Sequence, residues 1–408
     1  MRVSCELYPF LRLQVTSFRP IPREAVRSLR ASKIREVANA GMGRDDVLAF
    51  WFGEPDEVTP AFIRQAGIDS LNAGETFYTQ NLGIPELRDG IAAYVSRLRQ
   101  PTSADRIAVT NSGMSALMLT TQALVGAGDR VVAVTPLWPN LVEIPKILGA
   151  DVDCVELAFG RDGWTLDIDR LLAALTPGTR AVYINSPNNP TGWTLAANDQ
   201  QTILDHCRRQ GTWIIGDDAY ERLYYANGNG AAPSFLDLAE ADDRVVSTNT
   251  FSKSWLMTGW RLGWIVAPEE LIRELGKLVE YNTSCSPVFI QRAGVIAVTE
   301  GDGVIAHTQE RYRKARDFLE ARLHAIPEID AGSAPGAMYA FFRVRNVTDS
   351  FEFCKRLVAD AGLGLAPGIA FGPEGEGFVR WCFAASEARL ADGIDRLQRF
   401  LGRPGTLG

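Results

Sequence analysis

One lysine and one arginine stand eight residues apart in TNTFSKSWLMTGWRLGW, residues 248–264. They are Lys253 and Arg261, set among small hydroxyl residues, glycines and large apolar side chains. A solvated surface segment carries more charge and fewer tryptophans. A lysine amine that is partly buried near another cation gives up its proton readily. The neutral amine can then form a Schiff base with an aldehyde. An arginine close by can fork onto a phosphate and raise the local positive potential. Taken alone, the pair is equally compatible with a charged surface loop.

Other short segments carry matching chemistry. NSGMSAL (111–117) links an apolar run, RIAVT, to a helical pattern. The amides of Ser112, Gly113 and Met114 would then lie at a helix N-terminus, where anions bind. SPNNPTG (186–192) is a stiff, proline-bracketed loop presenting Asn189, an uncharged donor suited to a phenolate oxygen. GDDAYERLYY (216–225) places Asp217 at a strand end and Tyr220 three residues on. A carboxylate there could keep a pyridine nitrogen protonated, and a tyrosine could hydrogen-bond a ring oxygen. Each of these segments alone also reads as a plain α/β turn.

These residues need elements to hold them. RVVAVTP (130–136), RAVYINSP (180–187), TWIIGDD (212–218), RVVSTNTFSK (244–253) and LGWIVAP (262–268) are short apolar runs rich in β-branched residues. Runs apolar on both faces suit parallel strands covered by helices. Helical patterns lie between them, as in 115–128 and 198–211, each running to a glycine. The alternation predicts an α/β domain with a mainly parallel sheet, ligands binding at its C-terminal edge. After about residue 285 a long helical segment (287–326) precedes MYAFFRVR (338–345) and EGFVRWCF (376–383), which reads as a smaller α+β lobe. The expected division is 1–60 as an N-terminal arm and part of the small domain, 61–285 as the large domain, and 286–408 as the C-terminal small domain.

Composition narrows the function. The 408 residues carry a net charge of -7 and no basic run, which argues against nucleic acid as the main partner. The six cysteines are scattered without a C-x-x-C pair, so neither zinc nor a disulfide framework is expected and a reducing cytoplasm is. His206, His307 and His324 show no metal-ligand spacing. No stretch approaches the ~18 apolar residues of a membrane helix. The first twenty residues are poorly patterned and read as an arm or a start-site artefact.

Together the segments resemble the class I/II aminotransferases, fold type I enzymes that use pyridoxal 5′-phosphate, over nearly the whole chain. The family pattern S-K-x-x-x-x-x-G-x-R-x-G appears without mismatch as SKSWLMTGWRLG (252–263). Its N-P-T-G loop is NPTG (189–192), and its D-x-x-Y is DDAY (217–220), with Asp218 where glutamate is common. FGEPD (52–56), YTQNLGIPELR (78–88), PGAMYAFF (335–342) and PGIAFGPEGEGFVRWCFA (367–384) look like further family segments in the family's order.

The resemblance implies a large domain with a mainly parallel sheet flanked by helices, plus a smaller α+β domain. It implies that Lys253 forms the internal aldimine and moves the proton in transamination. Asp217 would pair with the pyridinium nitrogen, so that the ring serves as an electron sink. Asn189 and Tyr220 would hydrogen-bond the phenolic oxygen, and Trp138 would stack on the ring. Ser112, Gly113, Met114, Thr250 and Arg261, with Ser252 as a weaker candidate, would form the phosphate cup. Tyr78 would reach the phosphate of a neighbouring subunit, making the active unit a homodimer. Arg380, helped by Asn189 and the Gly53 amide, would bind the substrate α-carboxylate.

The expected reaction moves an amino group from an L-amino acid to a 2-oxo acid by a ping-pong mechanism. A carbon–sulfur β-lyase or eliminase on the same scaffold is the alternative. A non-enzymatic cofactor-sensing regulator is a distant third, since such proteins carry an added DNA-binding domain. Met114 is apolar where some acid-specific relatives have lysine, and no other distal cation stands out. FWF (50–52) with Trp138, Trp255 and Met114 suggests either an aromatic or aliphatic side-chain pocket or simple core packing.

Overall fold

The computed structural model describes residues 21–226 and 230–403; the N-terminal twenty residues, including the expected arm, lie outside the described residues. Seven strands form the central sheet: β1 Ile107–Thr110, β2 Arg130–Thr135, β3 Asp151–Glu156, β4 Thr179–Asn185, β5 Trp213–Asp217, β6 Val245–Thr250 and β7 Gly263–Val266. Their spatial order is β1-β7-β6-β5-β4-β2-β3. The pairs from β6 through to β3 are parallel. β7 runs antiparallel to both neighbours. LGWIVAP was expected among the parallel runs, and the reversal has a simple cause. The connection, residues 251–262, holds a single 3-10 turn and no α-helix of the kind that usually carries a chain back across the sheet for a parallel return.

The strands are apolar on both faces because each face meets its own core. Val131, Ala133, Ala181, Tyr183, Ile215 and Val246 face one cluster. Their neighbours Val132, Val134, Val182, Ile184, Ile214 and Val245 face the other. Alternation of side chains along a strand makes this division automatic.

The helices stop for differing reasons. Ala197–Gln210 ends at Gly211, which takes a left-handed conformation at φ 71°. Gly113–Leu124 ends earlier than its glycine: Val125 is already extended, and Gly126 donates to the Asp129 carboxylate instead. The segment read as one long helix is two, Val288–Glu300 and Asp302–His324. Gly301 separates them, where a Cβ would lie 2.2 Å from the Ala297 carbonyl and 2.6 Å from the Trp255 indole nitrogen.

A second, antiparallel sheet holds β8 Ile329–Asp330, β9 Tyr339–Val344, β10 Ala366–Pro367 and β11 Phe378–Cys382, in the order β8-β9-β11-β10. The N-terminal segment joins this region. Leu48–Ala49 pairs in parallel with Leu363–Gly364, and Gly41, closing the helix Lys33–Gly41, lies against Val358 and Trp51. No described helix is long and apolar enough to cross a membrane.

Candidate active site

The C-terminal ends of β4, β5 and β6 open onto one crevice of about 490 Å³, whose far wall comes from β9, β11 and the N-terminal segment. That size suits a small-molecule site. Asn185, at the end of β4, ties the strand ends together. Its side-chain amide donates to the Asp217 carbonyl at 2.9 Å, and its oxygen accepts from the Asn189 N–H at 2.7 Å. The Asn188 side chain accepts from the Thr191 N–H and hydroxyl, stiffening the same loop. Asn189 is thereby held at the crevice.

β6 delivers Thr250, whose hydroxyl bonds Ser252 at 2.8 Å and the Leu262 carbonyl at 3.2 Å. Lys253 follows at once, half-buried, its Nζ donating to the Gly53 carbonyl at 2.6 Å. Loss of water from around the amine lowers its pKa to about 8. Cys382 and Glu54 oppose this drop, while Arg380 and Arg261 add to it. The amine is therefore neutral in a substantial fraction near physiological pH, as a nucleophile must be.

Asp217 ends β5. Burial raises its carboxyl to about 7, the Ala219 N–H opposes this, and Asp218 adds to it. Asp218 is itself raised to about 6 by burial and by Glu221, although the Ser247 and Ser234 hydroxyls both donate to it. A cation placed against Asp217 would return it to the ionised form.

Arg380 lies on β11, almost fully buried. One of its N–H groups donates to Asn189 Oδ1 at 2.8 Å and another to the Trp51 carbonyl. Its Nε has no partner, and no carboxylate pairs with it among the described residues. The rings of Tyr339 and Phe371 flank it at 4.4 Å and 4.8 Å. In place of an acid, the cation has neutral acceptors and aromatic faces. A buried cation of this kind is costly until an anion joins it.

The turn that opens Gly113–Leu124 is built by close packing. Ser112 adopts φ 118° and caps Gly113–Leu124, its Oγ accepting from the Ser115 N–H at 3.2 Å. A Cβ on Gly263 of β7 would come within 2.5 Å of the Gly113 nitrogen. Two glycines thus let the helix N-terminus settle on the sheet.

Most residues singled out in the sequence meet here. Gly53, Gly113, Met114, Trp138, Asn189, Asp217, Tyr220, Thr250, Ser252, Lys253, Arg261 and Arg380 all line the crevice. Ser112 is buried behind it as the helix cap. Tyr78 lies away from its own chain's crevice, 90% exposed, next to Phe77 at 82%. Of the proposed pocket aromatics, Phe50, Trp51 and Trp255 belong to the core, while Phe52 and Trp138 reach the crevice.

Two residues escaped the sequence reading. The Tyr339 hydroxyl lies 2.8 Å from that of Tyr220, which in turn is 3.4 Å from the Asn189 amide. Tyr339 sits in PGAMYAFF, where an apolar strand pattern hides a polar contact. Arg35 also lines the crevice, and it belongs to no motif. Only the N-terminal segment's return to the C-terminal region brings it there.

A neutralisable buried amine, a buried carboxyl at a strand end, a helix N-terminus beside an arginine, and two uncharged donors fit the groups of pyridoxal 5′-phosphate. Comparison with known proteins agrees. Residues 45–397 match the family model for aminotransferase class I and II. The aspartate aminotransferase of Thermotoga maritima is 34% identical over 358 residues, covering 88% of this chain and 92% of that protein. A probable N-acetyl-LL-diaminopimelate aminotransferase of Bacillus subtilis is 30% identical, covering 92% and 94%. A Thermus thermophilus aspartate aminotransferase double mutant superposes with a TM-score of 0.87 at 29% identity, covering 93% and 100%. The chain belongs to the class I and II aminotransferases, pyridoxal 5′-phosphate-dependent transferases.

Proposed function

We propose that this enzyme moves an amino group from an L-amino acid to a 2-oxo acid in two half-reactions, with Lys253 as covalent anchor of the cofactor and carrier of the proton. The observation that supports this most is the Lys253 amine, lowered to about 8 by burial and facing Asp217, Asn189 and Tyr220 across one crevice. When bound, the cofactor supplies an electron sink for the bonds at the substrate Cα. The rest is work for the protein. Asp217 holds a proton at the ring nitrogen. Asn189 and Tyr220 hydrogen-bond the ring oxygen, and Trp138 covers the ring face.

Gly113, Met114, Thr250 and Arg261, with the Ser112 cap behind them, hold the phosphate; Ser252 bonds Thr250 there. Arg380 takes the substrate α-carboxylate in place of its present neutral acceptors, helped by Asn189 and the Gly53 amide. Fixing that carboxylate sets which Cα bond stands perpendicular to the ring. Lys253, released by substrate, then takes the proton from Cα. Tyr78 completes the phosphate site of a second subunit, which accounts for its exposure beside Phe77.

A spectral half-reaction screen tests the reading. Each L-amino acid is added to the cofactor-loaded protein while the cofactor absorbance is followed. Conversion to the pyridoxamine form, reversed by a 2-oxo acid, is the expected result. Release of pyruvate and ammonia without that conversion would replace it with a β-lyase.

A further inference from the structure

The buried acids among the described residues are Asp217, Asp218 and Glu221, and all lie in the turn 217–221. The reading above uses Asp217 alone. Side chains alternate at the end of a strand, so Asp217 at the tip of β5 lines the crevice while Asp218 turns away from it. Glu221 does not line the crevice either.

Asp218 is held from several elements. Its Oδ2 accepts from the Ser247 hydroxyl of β6 at 2.6 Å and from the Ser234 hydroxyl at 3.0 Å. Its backbone N–H donates to the Thr248 carbonyl at 2.9 Å, and its carbonyl accepts from the Glu221 N–H at 2.9 Å. Glu221 in turn accepts from the Tyr94 hydroxyl at 3.0 Å and pairs at 3.1 Å with Arg99, just past helix Pro85–Leu98. Arg99 also pairs at 3.0 Å with Asp237, on the 3-10 turn Phe235–Asp237 that Ser234 caps. Arg97 and Arg222 lie farther out, against the Tyr94 ring. On the crevice side, Lys253, Tyr220 and Tyr339 face Asp217.

Asp218, Glu221 and Asp237 thus share one directly paired guanidinium, and the cluster is negative in balance. The two hydroxyl donors favour the ionised form of Asp218, against burial and Glu221. At about 6, its carboxyl is ionised at neutral pH and above. A like charge next to Asp217 makes that carboxylate a stronger base, adding to the effect of burial. A stronger base holds more firmly a proton placed between it and a ring nitrogen. Burying a carboxylate is costly, and an amide of the same shape would bond the same hydroxyls. The acid is therefore explained by its charge rather than by its shape.

We propose that Asp218 is a positioning residue of the reaction: its charge, held by Ser247 and Ser234 and backed by the Glu221–Arg99 pair, strengthens the hold of Asp217 on a proton at the cofactor ring nitrogen. This rests on the assignment of Asp217 to that nitrogen above, and it adds the group that sets the basicity of Asp217.

The test compares wild-type, Asp218→Asn, Asp218→Glu and Ser247→Ala proteins in two NMR measurements. The first follows the Asp217 carboxyl against pH in the cofactor-free protein, with aspartate labelled at its carboxyl carbon and the signal assigned by its loss in Asp217→Asn. Asp218→Asn keeps the shape and removes the charge, so the Asp217 midpoint should fall by about one pH unit, a tenfold loss of proton affinity. Asp218→Glu keeps the charge and should stay near the wild-type midpoint. Ser247→Ala removes a donor from the Asp218 carboxylate, which then ionises less readily, and the Asp217 midpoint should fall by a smaller amount. It decides the matter if Asp218→Asn does not fold.

The second measurement follows the chemical shift of the ring nitrogen in bound, nitrogen-labelled pyridoxal 5′-phosphate, without turnover. In Asp218→Asn it should move towards the unprotonated value, in the direction of Asp217→Asn but by less. An Asp217 midpoint that ignores Asp218→Asn and Ser247→Ala overturns the proposal. Equal falls in Asp218→Asn and Asp218→Glu overturn it too, since the cause would be shape. A ring nitrogen that responds to Asp217→Asn but not to Asp218→Asn condemns the proposal alone. A ring nitrogen that ignores Asp217→Asn shows that the assignment of Asp217 has failed, and the proposal falls with it.

Discussion

At the scale of single residues, the crevice holds charges in states that water would not allow. Arg380 is buried against Asn189, the Trp51 carbonyl and two rings, with no acid to neutralise it. Arg380→Ala should therefore raise KM for amino acids by about 10²-fold or more, and weaken cofactor binding far less. Equal losses in KM and in cofactor affinity would mean that Arg380 only braces the fold. Asp217 and Asp218 give a second test, in the cofactor-free protein. Their folded values, about 7 and about 6, exceed the ordinary 3.8. The folded chain thus binds more protons than the unfolded chain between these values. Stability from this source is complete below pH of about 4 and disappears as pH rises through about 6 to 7. Urea midpoints measured from pH 4.5 to 7.5 should fall, by on the order of a few kcal/mol in unfolding free energy. Asp217→Asn should flatten that fall. Identical slopes in the two proteins would show that Asp217 does not titrate as its burial demands.

Among the elements, the antiparallel strand β7 has the most local consequences. It lies between β1 and β6, so Gly263 sits beneath the turn that starts Gly113–Leu124. A methyl group there would meet backbone, the Gly113 nitrogen at 2.5 Å and the Ser112 carbonyl carbon at 2.6 Å, which cannot move aside cheaply. Gly263→Ala should cost about 1–3 kcal/mol of stability and weaken cofactor binding, read by thermal unfolding and by cofactor titration. Gly259, where an added methyl would meet nothing within 4 Å, is the control: Gly259→Ala should stay within about 0.5 kcal/mol of wild type. Equal behaviour of the two variants would remove Gly263 from the construction of the turn proposed to hold the phosphate.

Over the whole molecule, two sets of contacts make the site from distant chain. Helix Lys33–Gly41 and the Leu48–Ala49 pairing carry Arg35, Phe52 and Gly53 to the sheet edge. Under the proposed function Tyr78 serves the site of a partner subunit; it is 90% exposed, as is Tyr281, and its neighbour Phe77 is 82% exposed. A mixed dimer of Lys253→Ala and Tyr78→Ala subunits would have one site with both defects and one with neither. Isolated through two different tags, it should recover about half of wild-type activity per dimer, well above either parent homodimer. A mixed dimer no better than its parents would mean that Tyr78 serves its own chain's site.

Local pattern alone determined a good deal of this protein. The β-branched runs ending at Asn185, Asp217 and Thr250 announced parallel strands, since only a strand covered on both sides repeats apolar residues without alternation. The motif spacing around Lys253, Asn189 and Asp217 follows from those strand ends, because each residue either ends a strand or lies on the short loop just after one. Tertiary structure decided what local pattern cannot hold. β7 runs antiparallel after a connection that forms no crossover helix, and Gly301 lies where a side chain would meet Trp255, far away in the chain. Arg35 and Tyr339 look like an ordinary helix cation and an ordinary strand tyrosine until packing brings them to the crevice. Their surroundings come from segments hundreds of residues apart, and no periodicity or spacing along the chain records such an encounter.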